Sequence, residues 1–291
     1  MAGVLTALGK QVTIVNAEET PPSLAFIDPD RKICSLDEIP EREDLTEVDV
    51  MMVLDTSAWA QLGPMGDILR DAKGIKMVLD HHVSEDDLGA EFFKNTTAEA
   101  TGRLVTEAAG QLRVPLTPEI ATALFAAQAT DTGWYRFQST TGDTLRVAAQ
   151  LVDAGAVPQE IYSALYEQET LARLKLRGRI LSKATTEMEG RLVHTYVELR
   201  DFEKAGALPA DTEDVINLTL AIVGVQVAVI LVEQATGGCK ISFRSRRELD
   251  CSRLAAHFGG GGHRAAAGAF IDAALPEAQK KVLDEVRKAM Q

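Results

Sequence analysis

Apolar residues in this chain fall into short uninterrupted runs that alternate with stretches of helical spacing. Residues 1–8 carry a helical pattern that stops at Gly9, and residues 11–15 then alternate as a strand does. The runs 48–54 and 76–79 read as strands, with a helix-like stretch at 65–72 between them. Helical spacing returns at 98–110, at 118–130 behind the start signal Thr117-Pro118, and at 144–154, which Gly155 closes. Residues 158–184 form a helical segment rich in charge, read as a solvated connector. Strands are expected again at 192–197, 225–232, 238–244 and 267–271, with helices at 251–258 and 276–290.

This pattern predicts an α/β protein: a first domain (1–157) built on a parallel sheet, a helical linker (158–185), and a smaller α/β domain (186–291) with a mixed sheet. Parallel sheets of this kind bind ligands beyond the carboxyl ends of their strands. Asp55 and Asp80 end two of the predicted strands and therefore fall at that edge.

The length, 291 residues with 46% hydrophobic content, suits two cores rather than one. A formal charge of −13 opposes long duplex nucleic acid, whose binding depends on a basic face, yet leaves room for a small anion in a locally basic pocket. Cys34, Cys239 and Cys251 are too few and too scattered for a disulfide framework or a zinc knuckle, which favours a reducing, cytoplasmic setting. The opening residues lack a signal peptide's basic leader. The longest apolar stretch, 218–232, contains Thr219, Gly224 and Gln226, and falls short of the ~18 residues of a membrane span.

Chemistry concentrates at a few places. Leu79-Asp80-His81-His82 puts a carboxylate and imidazoles where a buried strand emerges, and Asp55 and Asp131 stand in similar settings. Oxygen and nitrogen donors without thiols suit Mn²⁺ first, then Mg²⁺, with Zn²⁺ and Fe²⁺ as further options. Taken singly, each aspartate reads first as a helix cap or turn former. The run from Gly259 through Gly260, Gly261 and Gly262 to His263 and Arg264 offers backbone amides and side-chain donors to a phosphate or carboxylate, although glycine runs also serve as plain flexible loops. It is not a Walker motif, since no Gly-Lys-Ser/Thr ending follows. Arg244, Arg246 and Arg247, with Ser245 among them, gather guanidinium groups at a strand end just upstream.

In order, Val53-Leu54-Asp55-Thr56-Ser57, Leu79-Asp80-His81-His82, Thr130-Asp131-Thr132-Gly133 and residues 259–268 resemble the successive motifs of the DHH phosphoesterase superfamily. The last of these resembles the motif of the C-terminal DHH-associated domain, and the compact length resembles the NrnA-type branch, oligoribonucleases that also act as pAp phosphatases. The resemblance implies a metal-dependent phosphoesterase releasing nucleoside monophosphates from short oligoribonucleotides or pAp. Asp55 and Asp131 would then bind metal, His81 would be a direct ligand, and Asp80 and His82 would act as ligands or directly behind them. The intact family site holds two Mn²⁺ or Mg²⁺ ions. Arg136, Arg244, Ser245, the glycine amides and His263 would hold substrate phosphate, and a homodimer is one assembly open to the chain.

By the same resemblance, an opening strand with a histidine and a D-x-D motif supplies ligands to both metals, and this chain begins in the helix that would follow it. A late start codon is the expected explanation, ahead of a shortened chain and of a variant that binds nucleotides without efficient hydrolysis. Two other classes stand beside the hydrolase. One is a protein that binds or senses a nucleotide without turning it over, and the other is an interaction protein with a decayed site.

Overall fold

The computed structural model describes residues 1–39, 43–83, 85–246 and 249–291, so Arg247 of the expected arginine cluster lies outside the described residues. The chain divides into two compact units, Met1–Gln168 and Glu169–Gln291.

The first unit runs α1 (Ala2–Ala7), β1 (Ile14–Asn16), β2 (Ile33–Ser35), α2 (Glu43–Thr46), β3 (Val50–Leu54), α3 (Trp59–Leu62), α4 (Met65–Asp71), β4 (Ile75–Asp80), β5 (Glu91–Lys94), α5 (Thr101–Gln111), α6 (Pro118–Asp131), α7 (Gly142–Asp153) and α8 (Pro158–Tyr166). β1 and β2 pair in parallel as one small sheet, and β3, β4 and β5 form a second parallel sheet in that order. The predicted parallel architecture is therefore present. β5 and β2 escaped the hydrophobic pattern. β5 reads Glu-Phe-Phe-Lys, with Phe92 packed under the sheet while Phe93 is half exposed, so no apolar stripe announces it.

Register decides what the sheet can do. Pairing of Val50 with Ile75 carries through to Leu54 with Leu79, so Asp55 and Asp80 leave neighbouring strands side by side, and the Asp55 amide donates to the Leu79 carbonyl at 3.0 Å. Beneath one face, Val78 with Met51, Val53 and Phe92 packs onto Leu62 of α3 and Leu69 of α4. α6 is the central helix of another core, where Leu124, Phe125 and Ala129 meet Leu151 of α7 and Ile161 of α8. The Thr117 hydroxyl accepts from the Ile120 amide and Pro118 takes the first helical turn, as the start signal predicts.

The second unit holds α9 (Leu171–Ser182), β6 (Thr185–Glu187), β7 (Leu192–Val197), α10 (Leu199–Ala205), α11 (Val215–Leu220), β8 (Val227–Glu233), β9 (Cys239–Ser245), α12 (Cys251–Ala256), β10 (Gly261–Gly262), β11 (Ala266–Ile271) and α13 (Leu275–Ala289). Its sheet has the order β10-β11-β9-β8-β7-β6, antiparallel except for the β7–β8 pair. β8 explains why its sequence is continuously apolar. Val227, Val229 and Leu231 face α12 and α13, while Ala228, Ile230 and Val232 face α9 and α11, so both sides are buried.

The charged stretch 158–184 is not a solvated connector. Ile161 is buried in the first unit, and Leu176 and Ile180 are fully buried against the β7–β8 face of the second. Its many charges hid the apolar spacing of these few positions. Truncating either of the last two to Ala would cost roughly 2–5 kcal/mol.

Candidate metal centre

Asp55, His81 and His82 bring one donor atom each to within 4.8 Å of one another. Asp131 joins them from the last residue of α6, where its Oδ2 lies 3.6 Å from His81 Nε2, while Asp55 Oδ1 lies 3.5 Å from the same nitrogen. Three separate segments thus meet, as the sequence suggested. Asp55 sits at φ +65°, a left-handed conformation that Asp tolerates better than most residues and that turns the chain sharply out of the sheet.

The imidazole of His81 is held in one tautomer. Its Nδ1 lies 3.1 Å from the carbonyl oxygen of Ala98, and a carbonyl only accepts, so the hydrogen resides on Nδ1. Nε2 is left facing Asp55 and Asp131. His82 follows the same logic, with Nδ1 at 2.7 Å from Asp80 Oδ1.

Asp80 is fully buried and its oxygens are engaged. Oδ1 accepts from the His81 amide, the His82 amide and the His82 ring; Oδ2 accepts from the Ser57 hydroxyl at 2.6 Å and stands 3.7 Å from Lys94 Nζ. Burial acts to raise its pKa, but the hydrogen bonds from Ser57 and His82 and the amides of His82 and His81 outweigh it and hold the carboxyl below the usual carboxylate range. Asp80 stands outside the Asp55, His81 and His82 donor group, with both oxygens hydrogen-bonded, which favours the position behind the ligands over direct ligation, the two that the resemblance left open.

Asp131 is shifted the other way. Burial pushes its carboxyl up, the nearby Asp55 adds to this, and His81 and His82 only partly compensate. Carboxylates that repel one another around an imidazole nitrogen make a donor set suited to a divalent cation. The residues present fit such an ion.

α6 ends in an unusual turn. Gly133, Trp134 and Tyr135 all have positive φ, at +56°, +60° and +61°, and a Cβ on Gly133 would strike the Phe137 ring. Beneath this turn Gln128 is fully buried and donates to Glu99 at 2.6 Å, Glu99 also takes Arg103, and the Tyr135 hydroxyl reaches Gln128 Oε1 at 3.3 Å. Glu99 follows Ala98, so one polar network braces both the carbonyl that fixes His81 and the helix end that carries Asp131. Arg136 donates through Nε to the Gly133 carbonyl and is exposed beyond it. Sequence reading gave no role to Ser57, Lys94, Glu99 or Gln128. Their only signal was polarity next to strand or helix ends.

In the second unit the glycine run makes a hairpin. Gly261 pairs with Gly268 and Gly262 with Ala267, and His263 and Ala266 close the turn by exchanging backbone hydrogen bonds. The amides of Gly259 and Gly260 donate to Ala256 and Ala255, and a Cβ at Gly260 would collide with the Gly268 carbonyl. Close packing of backbone thus accounts for Gly260, whose amide is already used. His263 and Arg264 are exposed at the tip. Arg244 on β9 donates to its neighbour's carbonyl, and the Ser245 hydroxyl to that of Leu249.

Comparison with known proteins gives three kinds of match. Residues 189–291 match the DHHA1 domain model. The chain is 33% identical over 219 residues to the bifunctional oligoribonuclease and PAP phosphatase NrnA of Thermus thermophilus, covering 75% of this chain and 65% of that protein. The protein of the same name from Bacillus subtilis is 27% identical over 254 residues, covering 86% and 76%. Among solved structures, an exopolyphosphatase-related protein from Bacteroides fragilis superposes with a TM-score of 0.84 at 26% identity, covering 98% of this chain and 85% of that one. The chain thus spans about two thirds of the length of its Thermus relative.

Proposed function

The chain is a DHH-superfamily protein, NrnA-like in sequence, and on that premise we propose that it is a metal-dependent phosphoesterase acting on short oligoribonucleotides, on pAp, or on both, with nucleoside monophosphates as products. The observation that carries the proposal is His81 Nε2, fixed by the Ala98 carbonyl and faced by Asp55 and Asp131.

Asp55, Asp131 and His81 would hold the metal, with His82 beside them. A divalent cation such as Mn²⁺ or Mg²⁺ supplies neutralisation of phosphoryl charge and an acidified water at neutral pH. The chain's own residues do the rest. Ala98 keeps the hydrogen of His81 on Nδ1, Asp80 keeps the His82 ring in place, and Ser57 keeps Asp80 ionised. Arg136 offers the free part of its guanidinium to a substrate phosphate from within the first unit. In the second unit, Arg244, Ser245, Gly261, Gly262 and His263 are the groups we assign to phosphate, Gly260 serving as the packing point of their hairpin. The charge of −13 opposes long nucleic acid and favours short chains, which need few phosphate contacts.

The test is release of mononucleotide from a dinucleotide and from pAp with Mn²⁺ present. Turnover that disappears in Asp131→Ala supports the reading. Saturable binding of pAp with no turnover under Mn²⁺ or Mg²⁺ would replace it by a nucleotide sensor.

A further inference from the structure

α9 carries its cations on different faces. Arg173 and Arg177 reach Glu169 at 3.6 and 2.5 Å, and Lys183, just past the helix end, is held by Glu198 and Asp201. Lys175 and Arg179 lie elsewhere on the helix. With Gly178, Ser182 and Lys204 of α10 they line an open cavity of about 470 Å³, built wholly from the second unit.

Among the described residues, Lys175, Arg179 and Lys204 have no carboxylate within ion-pair distance, although every other cation of α9 and its C-terminal cap has one. Arg179 senses Asp201 only at longer range, and Lys183 already binds that carboxylate. The negative helix ends account for Arg179 and Lys204, which sit in the last turns of α9 and α10. They do not account for Lys175, which lies in the first half of α9, outside the last turn in which the helix field favours a cation. In an acidic chain, three like charges around one concavity stay together against their own repulsion.

Gly178 is the second observation. A glycine inside a helix weakens it. Here a Cβ would meet nothing within 4 Å, so no neighbour in the fold demands the glycine. It lies on the cavity wall between Lys175 and Arg179, where a bare backbone lets a ligand come close.

We propose that this cavity binds a small anion carrying adjacent phosphate groups. Three cations match the charge of two linked phosphates, and the volume falls in the range of roughly 300–1,000 Å³ typical of small-molecule sites. Inorganic polyphosphate and nucleoside diphosphates share that chemistry.

Calorimetric titration of the full chain with tripolyphosphate and with ADP, at low salt and without divalent metal, tests it. Lys175→Glu with Lys204→Glu should weaken binding by about tenfold or more. Lys240→Glu with Lys280→Glu makes the same charge change and should leave affinity unaltered. Gly178→Ala should raise the Tm of the ligand-free chain while lowering affinity, a split that a purely structural glycine would not produce. Tighter binding of ADP assigns the site to nucleotides; equal affinity assigns it to the phosphate chain alone. Equal weakening in both double variants, no weakening in either, or no saturable binding by the wild type overturns the proposal.

Discussion

The Ser57 hydroxyl donates to Asp80 Oδ2 at 2.6 Å, joining the loop after β3 to the end of β4 inside a buried contact. Two strands that a parallel register already sets side by side are thereby locked at the point where the chain turns toward the metal centre. Ser57→Ala should destabilise the protein by about 1–3 kcal/mol at neutral pH, because it leaves a buried carboxylate short of a donor. Asp80 is held below its ordinary pKa, so the stabilisation is present above the unfolded-state value of 3.8 and fades as pH falls through the lower folded value. Urea unfolding of both proteins at pH 7 and near pH 3 should show the gap narrowing in acid; a gap of constant size would remove the assignment.

Asp131 should behave in the opposite sense. Its folded pKa is raised by burial and by Asp55, so its ionisation counts against folding and the penalty grows as pH rises through the carboxylate range. Asp131→Asn should therefore raise the Tm of the metal-free protein at pH 7 and abolish the further rise that Mn²⁺ gives the wild type. Differential scanning fluorimetry with and without Mn²⁺ reads both effects.

Gly133→Ala should cost on the order of 1–2 kcal/mol, since any Cβ there both strikes the Phe137 ring and must adopt positive φ. The same substitution displaces the end of α6, so metal affinity should fall with stability. A variant that loses stability but binds Mn²⁺ as the wild type does would show that the turn and Asp131 are uncoupled.

Glu99 joins Gln128 and Arg103 out of solvent. Glu99→Ala would leave the buried Gln128 amide without its acceptor, while Arg103 keeps Glu107, and should cost about 1–3 kcal/mol. Glu99→Gln, which keeps the shape and loses the charge, should fold better than the alanine variant while still weakening Mn²⁺ binding, because the Ala98 carbonyl next to it loses its brace. Chemical denaturation paired with metal titration separates the two effects.

Much of this was legible before any coordinates. β3 and β8 announced themselves as continuous apolar runs, β4 as a run behind Lys76, and β7 and β9 as strand-like stretches, with β9 alternating apolar and polar residues; Asp55 and Asp80 stood out because an acid ends such a run. What stayed hidden depends on contacts between distant residues. Nothing local marks Ser57 as the donor to Asp80, or Ala98 as the acceptor that fixes His81. Whether Asp80 holds a cation or a histidine depends on register, which composition does not contain. The glycine run misled in part for the same reason: Gly260 looks like a ligand cradle until the strand it packs against is known. α9 misled because its charges outnumber Leu176 and Ile180, the side chains that place it in a core.

Asp131 occupies the very end of α6, where the backbone already presents its negative pole. An acid in that position, facing another acid, is a poor choice for a polypeptide that stays empty and a good one for a polypeptide that is filled soon after synthesis. Supply of the ion in the cell would then set the lifetime of each molecule against proteases as well as its activity.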